Sequence, residues 1–312
     1  MITTVTLNPA VDKTINIENF AIGKVNRISE IRTDAGGKGI NVSKVIKNLG
    51  GRSKAVAILA GKSGSYIKEY LDSIKIENDC LFIEGETRTN TKIVDKKNHT
   101  NTDINEIGPD VAEKDLKEIF ERQLNAMEAG DILVLSGSIP KNAGKDIYKL
   151  WVEKTKEKGI KTILDADGEL LKEGIKAGPY LIKPNIHELE GLFNQSIDST
   201  EKLIELSKNF FDNGIEIVVV SLGEDGALFI KRDEIIKAKG IKVQVESTVG
   251  AGDSMVAALA FALEKGYDFE KAVRLSVACG TASVMTKGTQ AADLSVILDL
   301  ENKVKIEYMK NN

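Results

Sequence analysis

The chain reads as an α/β protein with a largely parallel sheet, helices on both of its faces and a small side sheet inserted near the N-terminus. Three observations predict this. Short, continuous apolar runs rich in β-branched residues alternate with stretches of helical period, the pattern of βαβ units. Two segments instead alternate with a period near two, as half-buried strands do. The last third turns mostly helical. With 312 residues and 42% hydrophobic content the chain can bury a sizeable core, which excludes global disorder.

In chain order, Val5-Thr6-Leu7 is the first buried strand, and Asn8-Pro9-Ala10-Val11-Asp12 follows it. Residues 13–33, with Ile15, Ile17, Phe20, Val25, Ile28 and Ile31, form the first part of the side sheet. Gly36-Gly37-Lys38-Gly39-Ile40-Asn41 opens a helix marked by Val42, Val45, Ile46 and Leu49 and stopped by Gly50-Gly51. Ala55–Leu59 is a strand. Ala60-Gly61-Lys62-Ser63 looks like half of a phosphate loop, but Val56 stands where its first glycine belongs, so it reads as an ordinary turn into the helix of Ile67, Tyr70, Leu71 and Ile74. Residues 87–95 resume the side sheet, and the insertion extends to about 103. A helix on Leu116, Ile119, Phe120 and Leu124 precedes strands at 132–135, 162–164, 180–182 and 217–220. Residues 227–230 and 234–237 suggest an antiparallel hairpin, and helices close the chain at 253–264, 270–286 and 294–301.

Composition narrows the function. Forty-three basic against 47 acidic residues give a net charge of -4, with no global preference for nucleic acid. Two cysteines, Cys80 and Cys279, and two histidines, His99 and His187, offer neither a disulfide framework nor a Cys/His metal cluster. No apolar run approaches the roughly 20 residues that span a bilayer. The N-terminus lacks the basic start of a signal peptide, so a cytoplasmic protein is expected.

Three motifs carry chemistry. In Thr248-Val249-Gly250-Ala251-Gly252-Asp253-Ser254, small residues at a helix start let backbone N–H groups approach an anion, and the helix dipole adds positive charge there. A carboxylate beside such a nest suits phosphoryl transfer to an alcohol, with Asp253 taking the hydroxyl proton. The same aspartate could instead cap its helix. In Gly36–Asn41, Lys38 offers a point charge to a phosphate, or it is a solvated lysine on a turn. In Lys183-Pro184-Asn185-Ile186-His187-Glu188, Asn185 and Glu188 could face a hydrated Mg²⁺, or form an N-terminal capping box. His187 fits a surface or core position better than a metal site. Asp12 and the loops at Ser136-Gly137-Ser138 and Ser221-Leu222-Gly223 end strands, where open α/β sheets place ligand groups. Arg27 and Arg88 suit bidentate phosphate contacts.

Taken together, Thr6–Asp12, Gly36–Val42, Lys183-Pro184-Asn185 with Glu188, and Thr248–Ser254 resemble, in order along nearly the whole chain, the PfkB or ribokinase-like family of sugar kinases. The Asn8–Asp12 opening, the Gly36–Asn41 motif and Thr87-Arg88-Thr89-Asn90 resemble its hexose-phosphate branch. The resemblance implies a single domain over 1–312 with a three-layer α/β/α ribokinase-like body and a small β-lid. It implies ATP near Lys183, Asn185, Ser221 and Gly223, and Mg²⁺ handled through Asn185 and Glu188 by way of water, with a monovalent cation as a further candidate. A sugar phosphate would meet Asp12, Gly37, Lys38, Asn41 and Arg88, with Arg27 reaching across a homodimer. Asp253 would be the base, beside the anion hole of Gly250, Ala251 and Gly252. The expected reaction converts D-fructose 1-phosphate to fructose 1,6-bisphosphate, with tagatose 6-phosphate as the second acceptor. The rivals are a kinase of neutral sugars or nucleosides, disfavoured by the basic pocket candidates, and a ligand-sensing module without turnover, disfavoured by the presence of Asp253. The side sheet is too small to cover its own apolar residues, so Ile15, Ile17, Ile28, Ile31 and Ile93 are expected to meet an identical sheet in a partner.

Overall fold

A computed structural model describes residues 1–310. The chain runs β1 (Ile2–Thr6), β2 (Ala10–Ile17), β3 (Ile28–Gly36), α1 (Lys38–Asn48), β4 (Ser53–Ala60), α2 (Gly61–Ser73), β5 (Glu77–Ile83), β6 (Arg88–Asp95), β7 (Thr100–Asn105) and α3 (Glu113–Ala126). It continues with β8 (Ile132–Ser136), α4 (Ile147–Glu157), β9 (Lys161–Asp165), α5 (Gly168–Lys176), β10 (Leu181–Ile182), α6 (Ile186–Phe193), α7 (Thr200–Lys208) and β11 (Ile217–Ser221). The antiparallel β12 (Gly226–Ile230) and β13 (Ile235–Lys239), then α8 (Ala251–Lys265), α9 (Phe269–Val284), α10 (Leu294–Lys303) and β14 (Ile306–Met309) complete it.

Ten strands form one sheet in the order β14-β13-β12-β11-β10-β9-β8-β1-β4-β5. From β11 to β5 every pairing is parallel, so the C-terminal ends of β1, β8, β9, β10 and β11 share one edge. β1 and β8 are buried along their whole length and β11 up to Val220, as strands covered by helices on both faces require. One apolar cluster joins one face of the sheet to Trp151, Tyr148 and Leu171 from α4 and α5. Another joins the opposite face to α1, α8 and α9 through Val42, Val256, Val273 and their neighbours. The result is a three-layer α/β/α ribokinase-like body. Among the described residues no helix is long and apolar enough to cross a membrane.

A four-stranded sheet, β3-β2-β6-β7, stands apart. Its strands begin at Ala10 and Ile28, so 18–27 is a loop and not the strand expected within 13–33, and β7 carries the sheet past 103 to Asn105. Thr14, Asn16, Arg32 and Lys92 face residues 246–248 and 287–288 across a cleft. On the other face the structure corrects an expectation. Ile15, Ile17 and Ile93 are already buried in a cluster with Phe20 and need no partner to cover them. Phe20 is held there because Asp95 accepts hydrogen bonds from the N–H groups of Asn19 (3.1 Å) and Phe20 (2.7 Å). The exposed apolar side chains are instead Ile22, Val25, Ile28, Ile31 and Ile104.

Candidate active site

Two helix starts converge over the end of β1. The first, α1, is docked by Thr6, whose Oγ1 accepts from the Ile40 N–H at 3.1 Å. The second, α8, begins at Gly250, whose φ of 83° lies in the left-handed region that glycine adopts without strain. No side chain caps α8, and its first intrahelical bond runs from the Ser254 N–H to the Gly250 carbonyl at 2.9 Å. The N–H groups of Ala251, Gly252 and Asp253 therefore precede the helical ladder and face outward as donors for an anion.

Asp253 does not cap its own helix. Its Oδ2 accepts from Asn41 Nδ2 of α1 at 2.8 Å, which ties the two helix starts together. Burial pushes its carboxyl up to about 6, partly opposed by Lys38 and the Asn41 bond and reinforced by Asp165. A buried carboxylate tuned toward neutrality is suited to take a proton near neutral pH.

Asp165 is a component that the sequence reading missed. It ends β9, buried, and holds both Lys183 Nζ at 3.1 Å and Lys38 Nζ at 3.4 Å. Burial alone would raise its carboxyl, but the two lysines outweigh that and hold it below the usual range. Asp165 in turn is the main reason the Lys38 ammonium is held more firmly charged than an ordinary lysine. Lys183 also lies against α8, within 3.1 Å of where a Gly252 Cβ would stand. The available signal was a carboxylate at the C-terminal end of a parallel strand.

The remaining candidates fall into two groups. Asp12 of β2 packs over Gly36 so closely that a Cβ there would collide with its carboxylate, and Asn90 Nδ2 donates to Asp12 Oδ1 at 3.2 Å. Arg88 donates to the Asn8 carbonyl and to Ser138 Oγ, each at 3.0 Å. Lys38 lies against Gly137 and reaches Asp165, while Arg88 holds the neighbouring Ser138, so the two basic side chains flank the same loop after β8. Buried polar atoms without a protein partner surround this space: Asn41 Oδ1, Asn90 Oδ1, Arg88 Nε and Ser136 Oγ. Such atoms are costly unless a ligand or water satisfies them. Arg27 is exposed in the loop before β3 and bonds to none of these groups.

On the far side, Asn185 follows β10 and pairs with Ser221 in an isolated bridge. Asn185 and Glu188 form the capping box: Asn185 Oδ1 accepts from the Glu188 N–H at 2.9 Å and Glu188 Oε2 from the Asn185 N–H at 2.8 Å. Burial raises the Glu188 carboxyl. Beyond it, Ile186, Leu222, Glu224, Lys237, Lys239 and Lys242 line an open groove. His187 is exposed on α6. Gly61 starts α2 directly after β4, an ordinary strand-to-helix turn.

Open N–H donors, a buried carboxylate poised to accept a proton, paired lysines and a polar pocket opposite are the parts that phosphoryl transfer to an alcohol calls for. Comparison with known proteins agrees. Residues 5–295 match the model of the pfkB family of carbohydrate kinases, and the chain belongs to that family. It is 40% identical over 286 residues to the 1-phosphofructokinase of Borreliella burgdorferi, covering 91% of this chain and 92% of that protein. It is 36% identical to a tagatose-6-phosphate kinase of Staphylococcus epidermidis, covering 93% of this chain and 94% of that one. Phosphofructokinase-2 of Escherichia coli, solved with substrates and products, superposes with a TM-score of 0.92 at 28% identity over 97% of this chain and 98% of its own. That enzyme has also been solved with potassium and as an inhibited tetramer. The chain is thus a sugar kinase, a phosphotransferase with an alcohol acceptor, and its family makes ATP the co-substrate.

Proposed function

We propose that this kinase phosphorylates D-fructose 1-phosphate to fructose 1,6-bisphosphate, with tagatose 6-phosphate as the alternative acceptor. The observation that carries the chemistry is Asp253, buried beside the uncapped start of α8 and held by Asn41. The choice of acceptor follows the names of the relatives, 1-phosphofructokinases among them at 38–40% identity.

In this reading a primary sugar hydroxyl lies at Asp253, which accepts its proton as the oxygen attacks the γ-phosphoryl group in line. The Gly250-Ala251-Gly252 turn aims the N–H groups of Ala251, Gly252 and Asp253 at the charge on the transferring group. Lys38 and Lys183, both anchored on Asp165, border the same space. Asp12, Gly37 and Asn41 hold the sugar. Arg88 is the main anchor of its existing phosphate, because the Lys38 ammonium is drawn toward Asp165. ATP lies along Lys183, Asn185, Ser221 and Gly223.

Mg²⁺ fits the donors present only through water. No group of three or more acidic, His or Cys side chains that could hold a metal occurs among the described residues, and the capping box engages Asn185 Oδ1 and Glu188 Oε2, leaving Glu188 Oε1 for a hydrated ion. When bound, Mg²⁺ would neutralise charge on the phosphates. The potassium complex of the E. coli relative supports a monovalent cation here as well.

The whole chain acts as one kinase domain, with the β-lid from near 13–33 and 87–103, and works in the cytoplasm without nucleic acid or membrane. Two chains pair through the exposed Ile22, Val25, Ile28, Ile31 and Ile104, which brings Arg27 toward the partner's site. Sedimentation at micromolar concentration should give a dimer; monomer alone would sink this part. The central test is an ADP-release screen over fructose 1-phosphate, fructose 6-phosphate, tagatose 6-phosphate and the free sugars. Fructose 1-phosphate should have the highest kcat/KM. Preference for a free sugar would overturn the reading, and binding without turnover would favour a sensor.

A further inference from the structure

We propose that Lys44 is a positioning residue for the acceptor sugar: its buried ammonium clamps the root of the small sheet, where Asp12 and Asp34 stand opposite each other, to the loop after α9. The inference rests on the reading that Asp12 holds the sugar.

Lys44 lies on α1 one turn beyond Asn41 and is buried. Its Nζ donates to the Ala35 carbonyl at 3.0 Å and to Thr289 Oγ1 at 3.2 Å. Ala35 belongs to the last residues of β3, where the small sheet enters the body, and Thr289 to the segment joining α9 and α10. One ammonium thus joins a strand root, the helix that carries Asn41, and a loop bordering the cleft. The neighbouring Gly288 approaches Asp34 and Arg32 so tightly that a Cβ there would lie 2.8 Å from Asp34 Oδ2.

The reason for a cation at this point lies in the register. Asp12 and Asp34 are direct partners across β2 and β3. Like charges in that arrangement repel and destabilise a strand pair. Arg32 engages Asp34 at 2.8 Å, and Asn90 engages Asp12. Burial pushes the Asp12 carboxyl up, Asp34 adds to that, and Asn90 and Lys44 pull it back. Without the ammonium, one carboxylate of the pair takes up a proton more readily, and Asp12 loses acceptor capacity for a sugar hydroxyl.

The groups facing Lys44 are Asp34, Asp12 and Arg32 from the small sheet, Asp253 from α8, the Tyr70 ring of α2 at 5.9 Å and neutral Thr289. Burial brings its ammonium down to about 8, against the pull of the three carboxylates. A rise in pH through that value discharges Lys44 while Lys38, held up by Asp165, stays charged.

The test compares wild type, Lys44→Met and Lys44→Arg in two-substrate kinetics between pH 6.5 and 9.5. Wild-type turnover of fructose 1-phosphate judges the substrate reading by itself. The proposal is judged on whichever acceptor the wild type phosphorylates, by the ratio of variant to wild type. Loss of the ammonium's bonds to Ala35 and Thr289, and of its charge near Asp12, should raise the acceptor KM of Lys44→Met on the order of 10-fold, with the KM for ATP within about twofold. Lys44→Arg should recover most of that loss. The wild-type acceptor KM should climb above pH 8, and Lys44→Arg should abolish the climb. Equal effects on both substrates, or a climb that persists in Lys44→Arg, would overturn the proposal. Should a variant fail to fold, a wild-type acceptor KM that stays flat to pH 9.5 overturns it alone.

Discussion

Two helices of this kinase start at the same edge of the sheet, and their first turns are opposites. The start of α6 is closed: Asn185 and Glu188 bond to each other's backbone N–H groups. The start of α8 is open: Gly250 has no side chain to offer, and Asp253 turns away to Asn41. Both begin with an Asx or glycine and carry a carboxylate at the third helical position, yet one satisfies its own donors and the other leaves them for a ligand. A helix start is thus left open as much by removing local caps as by placing charge elsewhere.

The largest expected effect is on the open turn. Asp253→Asn keeps the Asn41 contact within reach but removes the base, so kcat should fall on the order of 10²–10⁴-fold. Its stability should move the other way. The folded-state pKa of Asp253 lies above its unfolded value, so ionising it between about pH 4 and 6 weakens the native state, and an amide escapes that penalty. The Tm at pH 7.5 should therefore be equal to or above that of wild type. Activity within a few-fold of wild type would remove the base assignment, and a large drop in Tm would show that the charge holds the fold.

A smaller effect belongs to pH. If Asp253 must be ionised, kcat at saturating substrates should fall as pH drops through about 6, reaching roughly a tenth at pH 5. A kcat profile flat from pH 7 to 5 would contradict this.

The smallest belongs to the closed turn. Asn185→Ala opens α6 and should lower stability by about 0.5–2 kcal/mol, as loss of an N-cap does. Calorimetry should register a modest drop in Tm. If the pair also handles a hydrated ion, the Mg²⁺ concentration for half-maximal activity should rise more than the Tm loss explains. An unchanged Mg²⁺ requirement would leave α6 with its cap alone.

These contrasts mark what the sequence makes legible. The open nest, the capping box and the continuous apolar strands are each written in neighbouring residues, and all three stand in the structure as local reasoning expects. Asp165 was harder to read because its meaning comes from Lys38 on α1 and Lys183 after β10, which only the sheet brings together. The polar start of β5, Glu77-Asn78-Asp79, hides a strand at the sheet edge, where burial is partial. The burial of Ile15, Ile17 and Ile93 depends on Phe20 folding back under Asp95, a loop contact that no periodicity carries.

The hydrogen bond between Asn41 and Asp253 spans 212 positions of sequence, and that separation governs when the enzyme comes into being. During synthesis the N-terminal strands leave the ribosome long before α8 exists, and domains assemble as their segments emerge. Contacts this distant close late and slow the search for the native topology. A nascent chain can therefore gather Asp12, Asn41 and Arg88 well before Asp253 is made. If Asp253 is the base, a fragment ending before α8 should show no turnover, so activity would report a chain made at least through that helix.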